Sequence, residues 1–367
     1  MALLMIFIDG LSYSEAVEKI NILSDKKICK VTPGAGFSNN LYPEMLAGQS
    51  PDEIGYFNEW SPSLLKLRPL AKWLRLLDCF RGFVYLNAGL RKILLAKILK
   101  RNYSNIPFKY AHHFAPQGSH DFRDLDKTVL QDFDFDIFDA VDFRSLPVGK
   151  RDFAALSAAC DKLESPNTLV SLTDYDNLAH IYGLGSRDVE AHLARLNQEI
   201  ELLLKHYYLR YPNGRMVVFS DHGMVNVHRH VDLDLENLIG KMEAGSLLYF
   251  LDSTYLRVWV HDKAREQNIL RKLEKLSVGH VIAEEERAVY GISNKAFGQI
   301  MFRANEGINF CPNFYGGRPV KAMHGYDSEL ESQKAFFAFD EEIVMPLHPS
   351  RSADVYKAVK AICSLSL

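Results

Sequence analysis

Carboxylates and imidazoles occur in three short motifs and after one apolar run, and together they have the chemistry of metal ligands. Asp176 and His180 are four residues apart, so on a helix they share one face. Asp221 and His222 are adjacent, and the Gly223 that follows allows a sharp turn that exposes both side chains. The complete set of candidates is Asp9, Asp176, His180, Asp221, His222 and His324. These three carboxylates and three imidazoles can form two metal sites with mixed nitrogen and oxygen ligands, which suits Zn²⁺ and leaves Mn²⁺ as the alternative.

Each of these residues also has a purely structural explanation when it is considered alone. Asp9 follows an apolar run and would also serve as the N-cap of the next helix. A D-x-x-x-H pair occurs by chance in many helices, and Asp-His-Gly is only somewhat more specific. The functional interpretation therefore depends on the order and spacing of all six residues and on a shared sheet edge.

The elements that would place these residues alternate between strands and helices. Residues 3–8 form a continuous apolar run that ends in Asp-Gly, which is typical of a buried parallel strand. Residues 169–173 and 216–220 repeat this pattern, and 335–339 is a further short apolar strand. Residues 186–208 have apolar side chains at helical spacing. The alternation predicts an α/β fold with helices on both faces of the sheet and a ligand crevice at the C-terminal ends of the strands.

Composition indicates an ordinary globular protein and excludes several classes. The chain has 367 residues, of which 47% are hydrophobic and 24% charged, so collagen-like, disordered and disulfide-scaffold proteins are ruled out. The net charge of -3 gives no reason to expect a nucleic-acid partner. Five scattered cysteines, without any C-x-x-C motif, fit a reducing compartment. No run approaches the roughly 20 apolar residues of a membrane span. We therefore expect a cytoplasmic location.

Two stretches interrupt the alternation and suggest additional domains. Residues 64–109 contain eleven Lys or Arg and one acid, a net charge of +10. We interpret 61–150 as a cap insertion outside the sheet and 235–312 as a small α+β subdomain, which leaves 1–60, 151–234 and 313–367 as the catalytic core. The basic stretch fits a solvated face, a lid that attracts anionic substrate, or an element peripheral to an anionic membrane surface.

Five segments in order along the chain resemble the alkaline phosphatase superfamily, most closely its type I phosphodiesterase/nucleotide pyrophosphatase branch. They are FIDG, FSNNLYPEMLAGQSPDEIG, DYDNLAH, FSDHGM and MHGYD, and they span residues 4–327. The resemblance implies an alkaline-phosphatase-like, mostly parallel sheet between helices. Counting back ten positions from Gly48 places the nucleophile of that family at Ser38.

The resemblance also assigns roles to the other residues. It implies that Asp9, Asp221 and His222 hold one ion, which also binds Ser38 and activates it. Asp176, His180 and His324 would hold a second ion. Asn58 would bind a phosphate oxygen of a small phosphate-ester substrate. The chain departs from the branch at three positions, with Ser38 where the branch usually has Thr, Ala179 in place of a glycine and Ile54 in place of a histidine.

The surroundings of Ser38 favour one class of phosphate ester. No basic residue occurs in GAGFSNNLYPEM, whereas phosphatases of the superfamily usually add an arginine that neutralises a doubly charged monoester. The sequence therefore predicts hydrolysis of phosphodiester or pyrophosphate bonds through a phosphoseryl intermediate on Ser38. A phosphomonoesterase, phosphonate hydrolase or phosphotransferase on the same fold is the alternative. An inactive binding or regulatory module would be expected to lack ligands, and all six are present.

Overall fold

The computed structural model describes residues 2–62, 105–107, 110–117, 128–343 and 347–364. The chain forms two compact units. The first unit comprises Met1–Ile54, His120–Val227 and Val320–Leu367, and the second comprises Gly55–Ser119 and His228–Pro319. The basic stretch 64–109 lies outside the described residues except for 105–107. Its predicted roles as a lid or a membrane-surface element therefore stay predictions.

The strands and helices follow one another along both units. The strands are β1 Leu3–Ile8, β2 Lys26–Val31, β3 Trp60–Pro62, β4 Phe114–Pro116, β5 Asp136–Asp139, β6 Asn167–Leu172, β7 Arg215–Phe219, β8 Val225–Asn226, β9 Arg229–Val231, β10 Leu247–Leu251, β11 Tyr255–Val260, β12 Gly279–Val281, β13 Ile300–Ala304, β14 Ile308–Phe310, β15 Ala322–Met323 and β16 Ala335–Asp340. The α-helices are α1 Tyr13–Lys19, α2 Ser38–Ala47, α3 Pro51–Ile54, α4 Val129–Asp132, α5 Arg151–Asp161, α6 Asp174–Tyr182, α7 Arg187–Arg210, α8 Leu235–Leu238, α9 Lys263–Leu273, α10 Glu284–Val289 and α11 Ser352–Ser364.

The first unit is built on a six-stranded sheet with the order β2-β16-β7-β1-β6-β5. Strands β5, β6, β1 and β7 run parallel to one another, while β16 is antiparallel to both β7 and β2. The predicted α/β fold with a mostly parallel sheet is therefore confirmed. The strand direction at 335–340 is the exception to the parallel pattern.

Alternating side chains of the central strand β1 bury both faces of this sheet. Leu4, Ile6 and Ile8 pack in one core with residues of α5, α6 and α7. Leu3, Met5 and Phe7 pack in the other with residues of α2 and α11. A strand buried on both faces must be apolar at every position, which explains the run LLMIFI.

The predicted cap boundary is wrong at its C-terminal end. Residues 136–139 were expected to lie outside the sheet, but they form β5, the edge strand that pairs in parallel with β6. Asp136 is exposed, and Ile137 and Phe138 are half-buried. Charged residues are common on edge strands because they discourage pairing with another chain. The rest of the predicted domain division stays a prediction.

The second unit contains a four-stranded antiparallel sheet with the order β10-β11-β13-β12. Strands β10 and β11, Leu247–Leu251 and Tyr255–Val260, pair with each other in antiparallel register. Helix α9 ends at Leu273 and buries Ile269 and Leu273. Within the described ranges, no helix has both the length and the apolar character needed to cross a membrane.

Candidate metal centre

The six candidate ligands lie together in the first unit, at the edge of the sheet where the parallel strands end. Asp9 follows β1, and Asp221 follows β7 after one residue. Asp176 and His180 lie on α6, which begins directly after β6. His324 follows the short strand β15. Because β6, β1 and β7 are neighbours and parallel, their C-terminal ends bring residues far apart in sequence to one place.

Asp9, Asp221 and His222 form the first cluster, with one ligand atom from each residue within 4.8 Å of the others. His222 Nε2 lies 3.3 Å from Asp221 Oδ2 and 3.6 Å from Asp9 Oδ1. His222 Nδ1 donates a hydrogen bond to the carbonyl oxygen of Gly223, 3.0 Å away. This bond places the proton on Nδ1 and leaves Nε2 to serve as a ligand.

Asp176, His180 and His324 form the second cluster, within the same distance limit of 4.8 Å. His180 Nε2 lies 3.3 Å from Asp176 Oδ2, and His324 Nε2 lies 3.8 Å from Asp176 Oδ1. His180 Nδ1 donates to the carbonyl oxygen of Ala322 at 2.8 Å, so its Nε2 also faces the cluster as the ligand atom.

Gly10 connects the two clusters, and its role was not recognised from the sequence. Its backbone N–H donates to Asp221 Oδ1 at 3.2 Å, and the N–H of His222 donates to the same oxygen at 3.0 Å. A Cβ atom at Gly10 would lie 2.9 Å from Asp176 Oδ1, and the backbone there has φ +73°. Only glycine therefore allows the side chain of Asp176 to lie this close to the backbone position that also donates to Asp221. The Asp-Gly pair at the end of β1 was the available signal.

Ser38 is the first residue of α2, and its hydroxyl group faces the first cluster. Ser38 Oγ lies 3.0 Å from His222 Nε2 and 3.3 Å from Asp9 Oδ1, so its single proton can be donated to one of these acceptors at a time. The helix N-terminus adds positive potential at this point, which favours an anionic ligand. The structure thus brings Ser38 together with the six predicted ligands.

The charges in the site are strongly unbalanced. Burial, followed by the nearby carboxylates of Asp221 and Asp176, holds the pKa of Asp9 well above its usual range. Burial also tends to raise the pKa of Asp176, but His180, His324 and His222 together outweigh this effect and the pKa is lowered. Burial and the neighbouring His222 hold the pKa of His324 well below its ordinary value. Three acids crowded in one buried site favour a cation there.

The residues present fit divalent metal ions. Asp176 Oδ1 and Asp221 Oδ2 are buried and accept no hydrogen bond within the described part of the chain. A buried carboxylate oxygen without a donor is costly, and a metal ion would satisfy both of these oxygens. The mixed imidazole and carboxylate donors are suitable for Zn²⁺ and for Mn²⁺.

Asn58 lies in the second unit and has several partners of its own. Its Oδ1 accepts hydrogen bonds from Tyr315 Oη at 2.6 Å and from the N–H of Trp60 at 3.1 Å. Its Nδ2 donates to Asp252 Oδ2 at 2.8 Å. These bonds give Asn58 a structural role in this unit, and its predicted contact with phosphate stays a prediction.

Several solved structures resemble this chain in fold at low sequence identity. Human ectonucleotide pyrophosphatase/phosphodiesterase 5 superposes with a TM-score of 0.64 at 12% identity, over 99% of this chain and 95% of that chain. The inactive murine ectonucleotide pyrophosphatase/phosphodiesterase 5 in complex with AMP gives 0.61 at 14% identity, over the same 99% and 95%. Phosphonoacetate hydrolase from Sinorhizobium meliloti 1021, in complex with phosphonoacetate, gives 0.58 at 15% identity, over 98% and 95%. A search of curated proteins found no significant match.

The sheet has the alkaline-phosphatase-like fold of these structures, and both ligand clusters lie at its edge. The model of the type I phosphodiesterase/nucleotide pyrophosphatase family matches residues 90–327, more than half of the chain, and the chain belongs to this family. The matched range contains Asp176, His180, Asp221, His222 and His324, whereas Asp9 and Ser38 precede it. Family membership indicates metal-dependent hydrolysis of phosphoesters.

Proposed function

We propose that this protein hydrolyses phosphodiester or pyrophosphate bonds, with Ser38 as the nucleophile and two divalent ions as cofactors. Zn²⁺ is the first choice of ion and Mn²⁺ the alternative. The observation that supports the proposal most directly is the position of Ser38 Oγ, 3.0 Å from His222 Nε2 and 3.3 Å from Asp9 Oδ1. A serine that only capped its helix would not need a buried acid and an imidazole at its hydroxyl group.

The two clusters would hold one ion each. Asp9, Asp221 and His222, together with Ser38 Oγ, are the ligands of the first ion, and Asp176, His180 and His324 are those of the second. When bound, the ions would lower the pKa of hydroxyl groups and neutralise charge on the transferring phosphoryl group.

The chemistry of the chain itself proceeds in two displacements. Ser38 Oγ loses its proton and forms a bond to phosphorus as the bond from phosphorus to the leaving oxygen breaks. The leaving alcohol or phosphate takes up a proton, and the substituted phosphoryl group remains on Ser38. A water molecule then attacks phosphorus, which breaks the bond to Ser38 Oγ and returns the proton to the serine. Both displacements need an in-line arrangement of the attacking and leaving oxygens.

The charge around Ser38 favours diesters over monoesters. Residues 34–45 contain no basic side chain, so this segment offers no cation to a doubly charged phosphate monoester. A diester carries only one negative charge on its phosphoryl oxygens. Phosphomonoesterase, phosphonate hydrolase and phosphotransferase activities remain the alternatives within this fold.

The test is a hydrolysis panel with the purified, metal-loaded chain. Matched aryl phosphate diester, aryl phosphate monoester and aryl sulfate substrates are compared, each with wild type and with Ser38→Ala. We expect the diester to give the highest kcat/KM. Intact-protein mass spectrometry should detect wild-type chain that carries a substituted phosphoryl group, and Ser38→Ala should not carry it. Faster hydrolysis of the monoester would reassign the protein as a phosphomonoesterase. Absence of turnover with metal bound would favour an inactive binding module.

A further inference from the structure

Two buried acids lie between the starts of two neighbouring helices of the first unit. Asp152 is at the start of α5 and Asp174 at the start of α6, and both are completely buried. The N-cap residues of these helices, Lys150 and Thr173, accept no capping hydrogen bond through their own side chains within the described part of the chain. The free N–H groups at both helix starts therefore need acceptors from elsewhere.

Each acid caps the helix of the other. Asp174 Oδ2 accepts from the N–H groups of Arg151 at 2.7 Å and Asp152 at 3.4 Å, at the start of α5. Asp152 Oδ1 accepts from the N–H groups of Thr173 at 2.8 Å and Asp174 at 3.0 Å, at the start of α6. A carboxylate at a helix N-terminus is also favoured by the helix dipole. The exchange of caps fixes the two helix starts against each other.

His192 on α7 completes the arrangement. It is buried, and its Nε2 donates to Asp152 Oδ2 at 3.0 Å. Both carboxylate oxygens of Asp152 are therefore engaged, one by the start of α6 and the other by α7. Asp152 and His192 lie 40 residues apart, and neither belongs to the short motifs that indicated metal ligands.

Helix α6 carries two of the candidate metal ligands, Asp176 and His180. We propose that Asp152, held by His192, is a positioning residue for the metal site of Asp176, His180 and His324. This proposal rests on the metal centre of the proposed function. Asp152 fixes the first turn of α6, two residues before Asp176, and thereby sets the rotation of the helix on which both ligands lie. Metal sites depend on ligand positions to about 0.2 Å, so a small shift of this turn weakens binding.

The experiment measures the affinity of the second site in an Asp221→Ala background, in which the first site is disabled. Zn²⁺ is titrated at buffered free concentrations, and bound metal is measured by elemental analysis. Asp152→Ala should weaken binding by about 10–100-fold, the usual effect of removing a residue that supports a metal ligand. Asp152→Asn should restore most of the affinity, because it keeps the accepting oxygen and His192 can meet the new amide in its other tautomer.

Asp139 provides a matched control in the same unit. It is also buried, it caps a short 3-10 helix through the N–H of Val141 at 2.9 Å, and that helix carries no candidate ligand. Asp139→Ala should lower the melting temperature and leave the Zn²⁺ affinity unchanged. If Asp152→Ala does not fold, His192→Phe gives the second measurement, and it should also weaken Zn²⁺ binding at this site.

The outcomes separate this proposal from the proposed function. Wild-type affinity in Asp152→Ala, or in a folded His192→Phe when Asp152→Ala does not fold, would overturn the positioning role alone. Equal losses in the Asp152 and Asp139 alanine variants would do the same, because they would show a general effect of stability. A wild-type chain that binds no ion would overturn the metal centre and, with it, this proposal.

Discussion

The imidazole rings of His222 and His324 stack face to face, with centroids 3.8 Å apart and planes 13° apart, although they belong to different ligand clusters. Two imidazolium ions at this distance would repel each other. The proximity of His222 accordingly contributes to the low pKa of His324, after burial. The contact therefore favours the neutral form of the His324 ring, which is the form in which histidine binds metal.

The first prediction concerns the number of ions. Asp221 is completely buried and belongs to the first cluster. Asp221→Ala should remove one of two bound ions and abolish turnover, because the first cluster also faces Ser38. Elemental analysis and hydrolysis assays on the same sample measure both effects. Asp188→Ala, an exposed acid on α7, is the control and should match wild type. Full activity in a thoroughly metal-free wild-type sample would contradict the two-ion mechanism.

The second prediction concerns the nucleophile. Ser38→Ala should keep both ions and lower kcat by several orders of magnitude, because the covalent step is lost. Ser38→Thr should keep part of the activity, since it retains a hydroxyl group at the same position. Stopped-flow kinetics and metal analysis check the two variants together. A near-wild-type rate in the alanine variant would show that another group attacks phosphorus, and Thr32 would be the next residue to test.

The third prediction compares two glycines that have nearly the same positive φ angle. Gly10 has φ +73° and would place a Cβ 2.9 Å from Asp176 Oδ1, whereas Gly185 has φ +74° and nothing within 4 Å of its Cβ. Both alanine variants should lose about 1–2 kcal/mol of stability from the strained backbone. Only Gly10→Ala should also displace Asp176 and weaken ion binding. Urea unfolding and Zn²⁺ titration separate the two effects, and equal Zn²⁺ affinities would refute the steric role of Gly10.

The fourth prediction concerns the pH dependence of stability. Glu44 lies on α2, and burial raises its pKa from an ordinary value of 4.5 to about 7, against the opposing attraction of Arg351. The folded state therefore holds the proton more tightly than the unfolded state, so the free energy of unfolding falls as pH rises from 4.5 to about 7. Glu44→Gln should remove this fall, and its stability advantage over wild type should grow between pH 5 and pH 8.

Glu53 supplies the control for this measurement. Its carboxylate is exposed, and hydrogen bonds from the backbone and side chain of Ser50 lower its pKa. It is therefore ionised throughout the window, and Glu53→Gln should leave the pH dependence of the melting temperature unchanged. If the melting temperatures of Glu44→Gln and wild type changed with pH in the same way across this range, the raised pKa of Glu44 would be excluded.

The sequence was most informative where a local pattern of apolar residues determines the secondary structure. Apolar runs that end in Asp identified β1, β6 and β7, because strands buried on both faces must be apolar throughout. The helix expected at 186–208 is α7, Arg187–Arg210, with Ser186 as its N-cap. The candidate ligands Asp9, Asp176, His180, Asp221 and His222 follow these same runs, whereas His324 was assigned from the motif MHGYD.

The remaining features depend on contacts between distant residues. Strand β5 was missed because an edge strand rich in Asp and Phe lacks the apolar run of a central strand. The antiparallel direction of β16 is determined by its path across the fold, which no local pattern encodes. The contact between Asp152 and His192 was likewise missed, because only the packing of α5, α6 and α7 brings these two side chains within hydrogen-bonding distance.

The wide spacing of the ligands along the chain has a consequence for biosynthesis. The first cluster combines Asp9 with Asp221 and His222, and the second requires His324. During translation, neither set is complete until most of the polypeptide has left the ribosome, and no short nascent segment offers three ligands of one set. A complete set of ligands for either ion would therefore exist only once the sheet has brought these distant residues together. Because only the folded chain assembles either set, bound ions would stabilise the folded state by mass action, by an amount that grows with the logarithm of their free concentration.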